Sequence, residues 1–183
     1  AVQLNGHIKP AKGFGIELIN VTHSTPQSAI IAMHTKQGTV LYANDFKLDS
    51  SPTLGKPTNT ERLKQLGQEG VLALVVDCTY AHWPIKMPSE IVARQMLQDV
   101  LYSQENSNRG IIVTTFSSHI ARLKSVIELG EKMGRKIVIL GRSLEKYITA
   151  AEELGIVNFS NRAEIIRYHD HIKRKLRKIA REG

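Results

Sequence analysis

A single cysteine, Cys78, occurs in 183 residues, which excludes an internal disulfide and fits a reducing compartment. Beside Asp77, at the end of an apolar run, it reads as a small buried hydrophobe. No apolar stretch approaches the roughly 20 residues needed to cross a bilayer, and no signal-peptide pattern opens the chain. The expectation is a cytoplasmic protein with no membrane partner. Glycines do not cluster into either common phosphate-binding loop, so nucleoside triphosphate or dinucleotide binding is weakly supported. Missing too is any run of closely spaced histidines and acids that would supply the three or more ligands of a hydrolytic metal centre. No fixed-length repeat or low-complexity tract occurs.

What is there is globular in composition, with 42% hydrophobic and 23% charged residues, enough for one good core or two small units. The net charge of +8 favours a polyanionic partner. Much of it is local, with seven Lys/Arg against two acidic residues from Arg167 to Gly183. Ile165, Tyr168, Ile172, Leu176 and Ile179 recur there at three- and four-residue steps. That spacing predicts an amphipathic helix with Lys173, Arg174, Lys175, Arg177 and Lys178 mostly facing water. A solvated helix face is the favoured reading over direct nucleic-acid contact, although such charge would raise the local concentration of RNA. Beginning at Ala1 without methionine and stopping in a charged helix, the chain reads as a piece of a longer one.

The first fifty residues carry short β-prone runs at Val2–Asn5, Ile16–Val21, Ala29–Met33 and Val40–Ala43, the last two joined by a turn at Lys36-Gln37-Gly38. Ser50–Thr60, rich in Pro, Gly, Ser and Thr, marks a loop before a short helix, Thr60–Leu66, ended by Gly67. A domain boundary is expected in that stretch, giving units 1–66 and 67–183. From residue 70 strands and helices alternate: strand Val71–Val76, a helix from Ser89 to about Gln104, strand Ile111–Thr115, a helix from about Ser118 to Met133, strand Lys136–Leu140, and a helix from Ser143 to Leu154. On the second helix-forming stretch, Ser89–Gln104, residues Val92, Met96, Leu97, Val100 and Leu101 are expected inward. The alternation predicts an α/β fold with a parallel sheet covered on both faces.

Ligands of such sheets bind beyond the carboxyl ends of the strands. Asp77-Cys78-Thr79, Phe116-Ser117-Ser118-His119 and Gly141-Arg142-Ser143 fall there, the last two running into helix N-termini that favour anions. Hydroxyls at Ser117, Ser118 and Ser143 with the Arg142 guanidinium suit a phosphate-bearing ligand, while serine is equally an ordinary N-cap. Asp77 ends an apolar strand, where a carboxylate must meet solvent, pair or act. His23 precedes Ser-Thr-Pro at a loop mouth, and Asp45 follows a strand, where it could equally be a turn former. His23 and Asp45 suit two ligands of a metal site assembled from several strands, and with Asp77 the three gain weight together.

The segments VTHSTPQSA, YANDFKLD, ERLKQLGQEGVLALVVDCTYAHWP, PSE, TTFSSHIARL and GRKIVILGRSLEKY resemble the ribonuclease J family, of the β-CASP group of metallo-β-lactamase-fold nucleases, with the archaeal branch the better match. The resemblance runs from about Gly15 to the basic helix. It implies part of a metallo-β-lactamase αββα fold over 1–66, followed by a Rossmann-like, C-terminally incomplete β-CASP domain over 67–183. His23 then matches a zinc ligand, Asp45 the aspartate bridging two zincs, and Asp77 the catalytic acidic motif beside them. Ser117, Ser118, His119, Arg122 and Arg142 fall in segments that face RNA. The implied chemistry is zinc-assisted hydrolysis of RNA phosphodiesters, mainly as a 5′-to-3′ exonuclease. Implied partners are RNA and further copies of the chain, as a dimer or tetramer.

The family's His-x-His-x-Asp-His cluster would precede Ala1, so this stretch alone is expected to be inactive. His169-Asp170-His171 is rejected as a substitute, because helical spacing turns residues two apart to different faces. His7, His34 and His82 read as surface or packing residues. The competing readings are a non-catalytic RNA-binding or assembly module, and a small-molecule α/β domain that the basic tail disfavours.

Overall fold

The computed structural model describes residues 3–103, 109–167 and 171–182. By backbone contacts the chain divides into two units: one of Ala1–His23 with Gln27–Glu90, the other of Ser24–Pro26 with Ile91–Gly183.

The first unit is built on a five-stranded mixed sheet in chain order: β1 (His7–Ala11), β2 (Phe14–Asn20), β3 (Ala29–Thr35), β4 (Gly38–Ala43) and β5 (Val71–Val76). The first four strands pair antiparallel, and β5 joins β4 in parallel. Between β4 and β5 lies α1 (Thr60–Glu69). Asn59 caps it by accepting a hydrogen bond from the Arg62 amide at 3.1 Å. The buried core comprises Ile19, Val21, Ile30, Ala32, Leu41, Ala43 and Leu66, with Phe46, Leu63 and Val71 packed against it.

Four expectations for this unit are corrected. Leu4 and Asn5 form a turn rather than a strand: Asn5 sits at positive φ and its N–H donates to the Leu18 carbonyl at 2.6 Å, so the chain turns a corner before β1 begins. Helix α1 runs through Gly67 and stops at Gly70, whose φ of 95° and N–H to the Leu66 carbonyl end the turn. The expected parallel sheet of Val71–Val76 with Ile111–Thr115 and Lys136–Leu140 does not form. Instead β5 hydrogen-bonds to β4 and stands at the edge of the mixed sheet, with Leu72, Leu74, Val75 and Val76 exposed. Cys78 is exposed rather than buried, because the chain leaves the sheet at Asp77.

The second unit contains α2 (Glu90–Ser103) from its second residue, then α3 (Ile120–Lys132), β6 (Val138–Leu140), α4 (Arg142–Glu153), β7 (Glu164–Ile166) and α5 (Ile172–Glu182). Strands β6 and β7 pair in parallel. Along α3 the buried residues Ala121, Leu123, Ser125, Ile127 and Leu129 alternate. At 3.6 residues per turn these positions occupy two faces, so α3 is packed on both sides. Phe159, Ile139, Ile148 and Ile166 complete the core.

Here too the structure departs from expectation. Ile111–Thr115 is not a strand and its side chains are largely exposed, since β propensity takes effect only with a neighbouring strand to pair with. On α2, Leu101 is buried, but Val92, Met96 and Val100 are exposed. Ile165 belongs to β7, not to the terminal helix, which starts at Ile172; Tyr168, His169 and Asp170 lie outside the described residues. The chain is thus α/β, with a mixed sheet and five helices among the described residues. No helix among the described residues is long and apolar enough to cross a membrane.

Candidate active site

Sheet topology decides where the candidate residues meet. Strand β2 runs antiparallel to β3, and β3 to β4, so β2 and β4 point the same way; β5 is parallel to β4. The carboxyl ends of β2, β4 and β5 therefore share one edge of the sheet. His23 follows β2, Asp45 follows β4 and Asp77 follows β5.

Buried polar groups stitch these three exits together. Thr22 forms an isolated antiparallel bridge with Lys47, whose N–H donates to the Thr22 carbonyl at 2.8 Å. The Thr22 hydroxyl donates to the Lys47 carbonyl and accepts the Asp49 N–H at 3.2 Å. Thr58 closes the knot, its Oγ1 accepting the Thr22 N–H at 3.1 Å and donating to the Lys47 carbonyl at 3.0 Å. Thus the residue before His23 is tied to the segment just after Asp45. Across the other gap, the Asp77 N–H donates to the Ala43 carbonyl at 3.1 Å.

Asp49 extends the knot to Ser51, Ser89 and Glu90 of the same unit. Its carboxylate accepts the Glu90 N–H at 2.7 Å, the Ser51 N–H at 2.9 Å and the Ser89 hydroxyl. Burial by itself would raise the Asp49 pKa, but these donors, with Lys47 nearby, carry it below the ordinary value. The sequence reading missed Asp49 and Thr22. The available signal was proximity alone, with Thr22 directly before His23 and Asp49 four residues after Asp45.

Asp77 is exposed at the edge. The hydroxyl and the amide of Thr79 both donate to its Oδ1, at 2.6 and 3.0 Å, an Asx-type turn. The Thr79 hydroxyl is the largest influence holding its pKa below the ordinary value, followed by the Thr79 amide; the Cys78 amide and the nearby His23 add to it. His23 and Asp77 are therefore within electrostatic reach of each other. Asp45, exposed in a bend, completes the edge.

One imidazole and two carboxylates are a donor set suited to a divalent cation. Three such side chains are not drawn into a closed cage here. Among the described residues, the group of three His/Cys/Asp/Glu side chains with ligand atoms all within 4.8 Å of one another is a different one, His7, Glu17 and His34. His23, Asp45 and Asp77 share the edge without forming such a group.

The five residues expected to face an anion lie in the second unit, on two helix starts. At α3 the cap is His119 rather than a serine: its Nδ1 accepts the Arg122 N–H at 3.3 Å. Ser118 Oγ lies 3.5 Å from Ser24 Oγ, and Ser117 is half-buried beside it. At α4, Gly141 provides the cap position at φ 139° without a side-chain bond, and Arg142 is the exposed first helical residue. Arg142, Lys146 and Arg167 line a groove with Glu145, Thr149 and Glu153. Its cations are partly matched, since Arg167 pairs with Glu145 at 3.1 Å.

Comparison with known proteins bears on this arrangement. Residues 108–180 match the family model for the beta-CASP domain of ribonuclease J. The ribonuclease J of Methanocaldococcus jannaschii is 40% identical over 168 residues, covering 92% of this chain and 38% of that protein. That of Pyrococcus abyssi is 38% identical over 173 residues, covering 94% and 38%, and that of Thermus thermophilus 38% over 155 residues, covering 85% and 26%. A protein of unknown function from Enterococcus faecalis shares the fold, with a TM-score of 0.56 at 15% identity over 93% of this chain and 45% of the other. This chain spans about two fifths of the length of the archaeal relatives. The chain thus carries the ribonuclease J beta-CASP match in its second half and is near 40% identical to archaeal ribonuclease J proteins across both units.

Proposed function

We propose that this chain is part of a metal-dependent ribonuclease that hydrolyses RNA phosphodiester bonds, mainly as a 5′-to-3′ exonuclease. The observation that carries the reading is the shared edge of β2, β4 and β5, where His23, Asp45 and Asp77 follow strand ends joined by buried hydrogen bonds. In this reading 1–66 contributes part of a metallo-β-lactamase domain, and 67–183 most of a β-CASP domain.

His23 and Asp45 are assigned as ligands of a divalent metal, with zinc favoured by the nitrogen and oxygen donors. Two ligands do not hold two ions, so the reading requires further donors from the part of the relatives this chain does not span. When bound, such ions supply Lewis-acid stabilisation and activate water. Asp77 is assigned the catalytic acidic role. Kept ionised and oriented through Oδ1 by Thr79, its carboxylate can accept a proton at the edge where the scissile phosphate would lie. Ser117, Ser118, His119, Arg122 and Arg142 are assigned to the RNA backbone, for which helix N-termini and guanidinium groups are suited.

A chimera tests this directly: the matching stretch of the Methanocaldococcus jannaschii ribonuclease J is replaced by this chain, and decay of a 5′-monophosphorylated RNA is followed. H23A, D45N and D77N should each abolish decay while leaving the protein folded. Undiminished decay in all three would overturn the assignment.

The second reading, an RNA-binding or assembly module without catalysis, rests on α5, where Lys173, Arg174, Arg177 and Lys178 ride on a strongly amphipathic helix. Under that reading the 183-residue chain binds RNA in a salt-dependent manner whether or not His23, Asp45 and Asp77 are intact.

A further inference from the structure

Away from the strand-end edge, three side chains converge on one face of the first three strands. His7 on β1 stands directly opposite Glu17 on β2. His34 on β3 is paired with Gly15, two residues from Glu17 and so on the same face. His34 Nε2 lies 3.2 Å from Glu17 Oε2, and His7 Nε2 lies 3.7 Å from Glu17 Oε1. Metal–ligand bonds of about 2.0–2.1 Å in tetrahedral array put neighbouring donors roughly 3.4 Å apart. The two separations, to different oxygens of one carboxylate, lie near that value, and one donor atom from each of the three side chains lies within 4.8 Å of the other two.

The surroundings are arranged as around a ligating imidazole. The other ring nitrogen of His34, Nδ1, is 3.1 Å from Thr39 Oγ1, a partner that orients the ring with Nε2 toward Glu17. Gly15 presents no side chain to the ring beside it; a Cβ there would lie 3.7 Å from His34 Cβ and 3.9 Å from Cδ2. Glu17 is buried, while His7 is open to solvent and leaves an entry path. Burial would raise the Glu17 pKa, but hydrogen bonds from Arg62 and His34 carry it below the ordinary value, so the carboxylate is ionised at neutral pH.

Arg62 is the competitor. It reaches from α1 with Nε 2.7 Å from Oε1 and Nη2 3.1 Å from Oε2. It also has an alternative anchor, since Nη1 donates to Glu69 at 2.8 Å and to Gln65 at 3.2 Å. A cation entering between the imidazoles can take Oε2 while Arg62 keeps Oε1.

We propose that His7, Glu17 and His34 form a binding site for one divalent transition-metal ion of the zinc type, with water as the fourth ligand, that clips edge strand β1 to β2 and β3. Nothing in this proposal depends on the His23, Asp45 and Asp77 edge.

The test is calorimetric titration of the intact 183-residue chain with Zn²⁺ at neutral pH, in an H23A/D45N/D77N background that removes the donors of the strand-end edge. One ion per chain should bind, and H7A/H34A should abolish it. T39V should weaken it by about tenfold, as expected for loss of an orienting partner. R62Q should tighten it, because the competing charge is gone, whereas a merely structural cluster would show no gain. Cobalt substitution gives a second readout: visible absorption of a low-symmetry site, lost in H7A, whose exposed side chain is not needed for folding. Zinc binding that survives H7A/H34A, or no one-to-one binding in the parent chain, overturns the proposal.

Discussion

The N–H of Asp77 donates to the carbonyl of Ala43 at 3.1 Å, one step beyond the last ladder pair of β4 and β5, Ala43 with Val76. That bond carries the parallel pairing past the end of the strand and brings Asp77 alongside the segment that leads to Asp45. Position comes from the backbone, and Thr79, which binds Oδ1 twice, holds the carboxyl below its ordinary pKa.

Replacing Thr79 with valine should therefore raise the Asp77 pKa toward its ordinary value without disturbing the sheet. Carbon-detected NMR titration of the Asp77 carboxyl reads this directly. An unchanged midpoint would mean that Thr79 does not hold the charge.

Thr22→Val removes the hydroxyl that joins the Lys47 carbonyl to the Asp49 amide; the carbonyl keeps Thr58, while the buried Asp49 amide loses this acceptor. The expected loss is about 1–3 kcal/mol of stability, measured by urea unfolding. Amide chemical-shift changes should concentrate in residues 20–25 and 44–50, where the two exits are tied. Catalysis in the chimera should fall even though the valine touches no substrate.

Arg62→Ala leaves the Glu17 carboxylate buried without its main counter-charge, and a loss of about 3–5 kcal/mol is expected. The sign of the pH dependence follows from the same groups. Glu17 and Asp49 both have folded pKa values below their ordinary ones. Their contribution is fully present above the unfolded carboxylate range near pH 4, and is lost as pH falls through the folded values. Stability in urea should therefore drop on acidification below about pH 4. The drop should be smaller in Glu17→Gln.

Strand β5 offers an exposed, apolar edge without a charge or proline to deter pairing. Leu74→Lys should reduce self-association of the chain in sedimentation velocity. If Leu74→Lys and the parent chain sediment alike as oligomers, the self-association surface lies elsewhere.

Binding of a fluorescent single-stranded RNA should weaken steeply with salt if the basic face of α5 contributes. The double charge reversal K173E/R177E should lower the slope of log affinity against log salt by about one unit for each phosphate no longer neutralised. A slope equal to the parent's would remove α5 from the interface.

Local features were legible without coordinates where chain-neighbour chemistry decides them. The run VLALVV became β5 with the expected bounds, α4 began within one residue of its expected start, and the hairpin turn at Lys36–Gly38 joins β3 to β4. His23, Asp45 and Asp77 were each placed after a strand, because the breaks Ser-Thr-Pro, Asn-Asp and Asp-Cys-Thr follow apolar runs. Not legible was the partner of each strand. Ile111–Thr115 has the composition of a strand and is not one, while β5, read as the start of a second sheet, completes the first.

The sequence by itself determined the α/β alternation, the basic terminal helix and the residues standing at strand exits, since period, breakers and charge are properties of neighbours along the chain. Only the tertiary structure decided that β2, β4 and β5 end on one edge, that Thr22, Lys47 and Thr58 knot their exits, and that Glu17 is buried against Arg62 between two histidines. Those are pairings between residues tens of positions apart. They are selected by burial of the Ile19, Ala32, Leu41 and Leu66 core and by the need to satisfy every polar group enclosed with it.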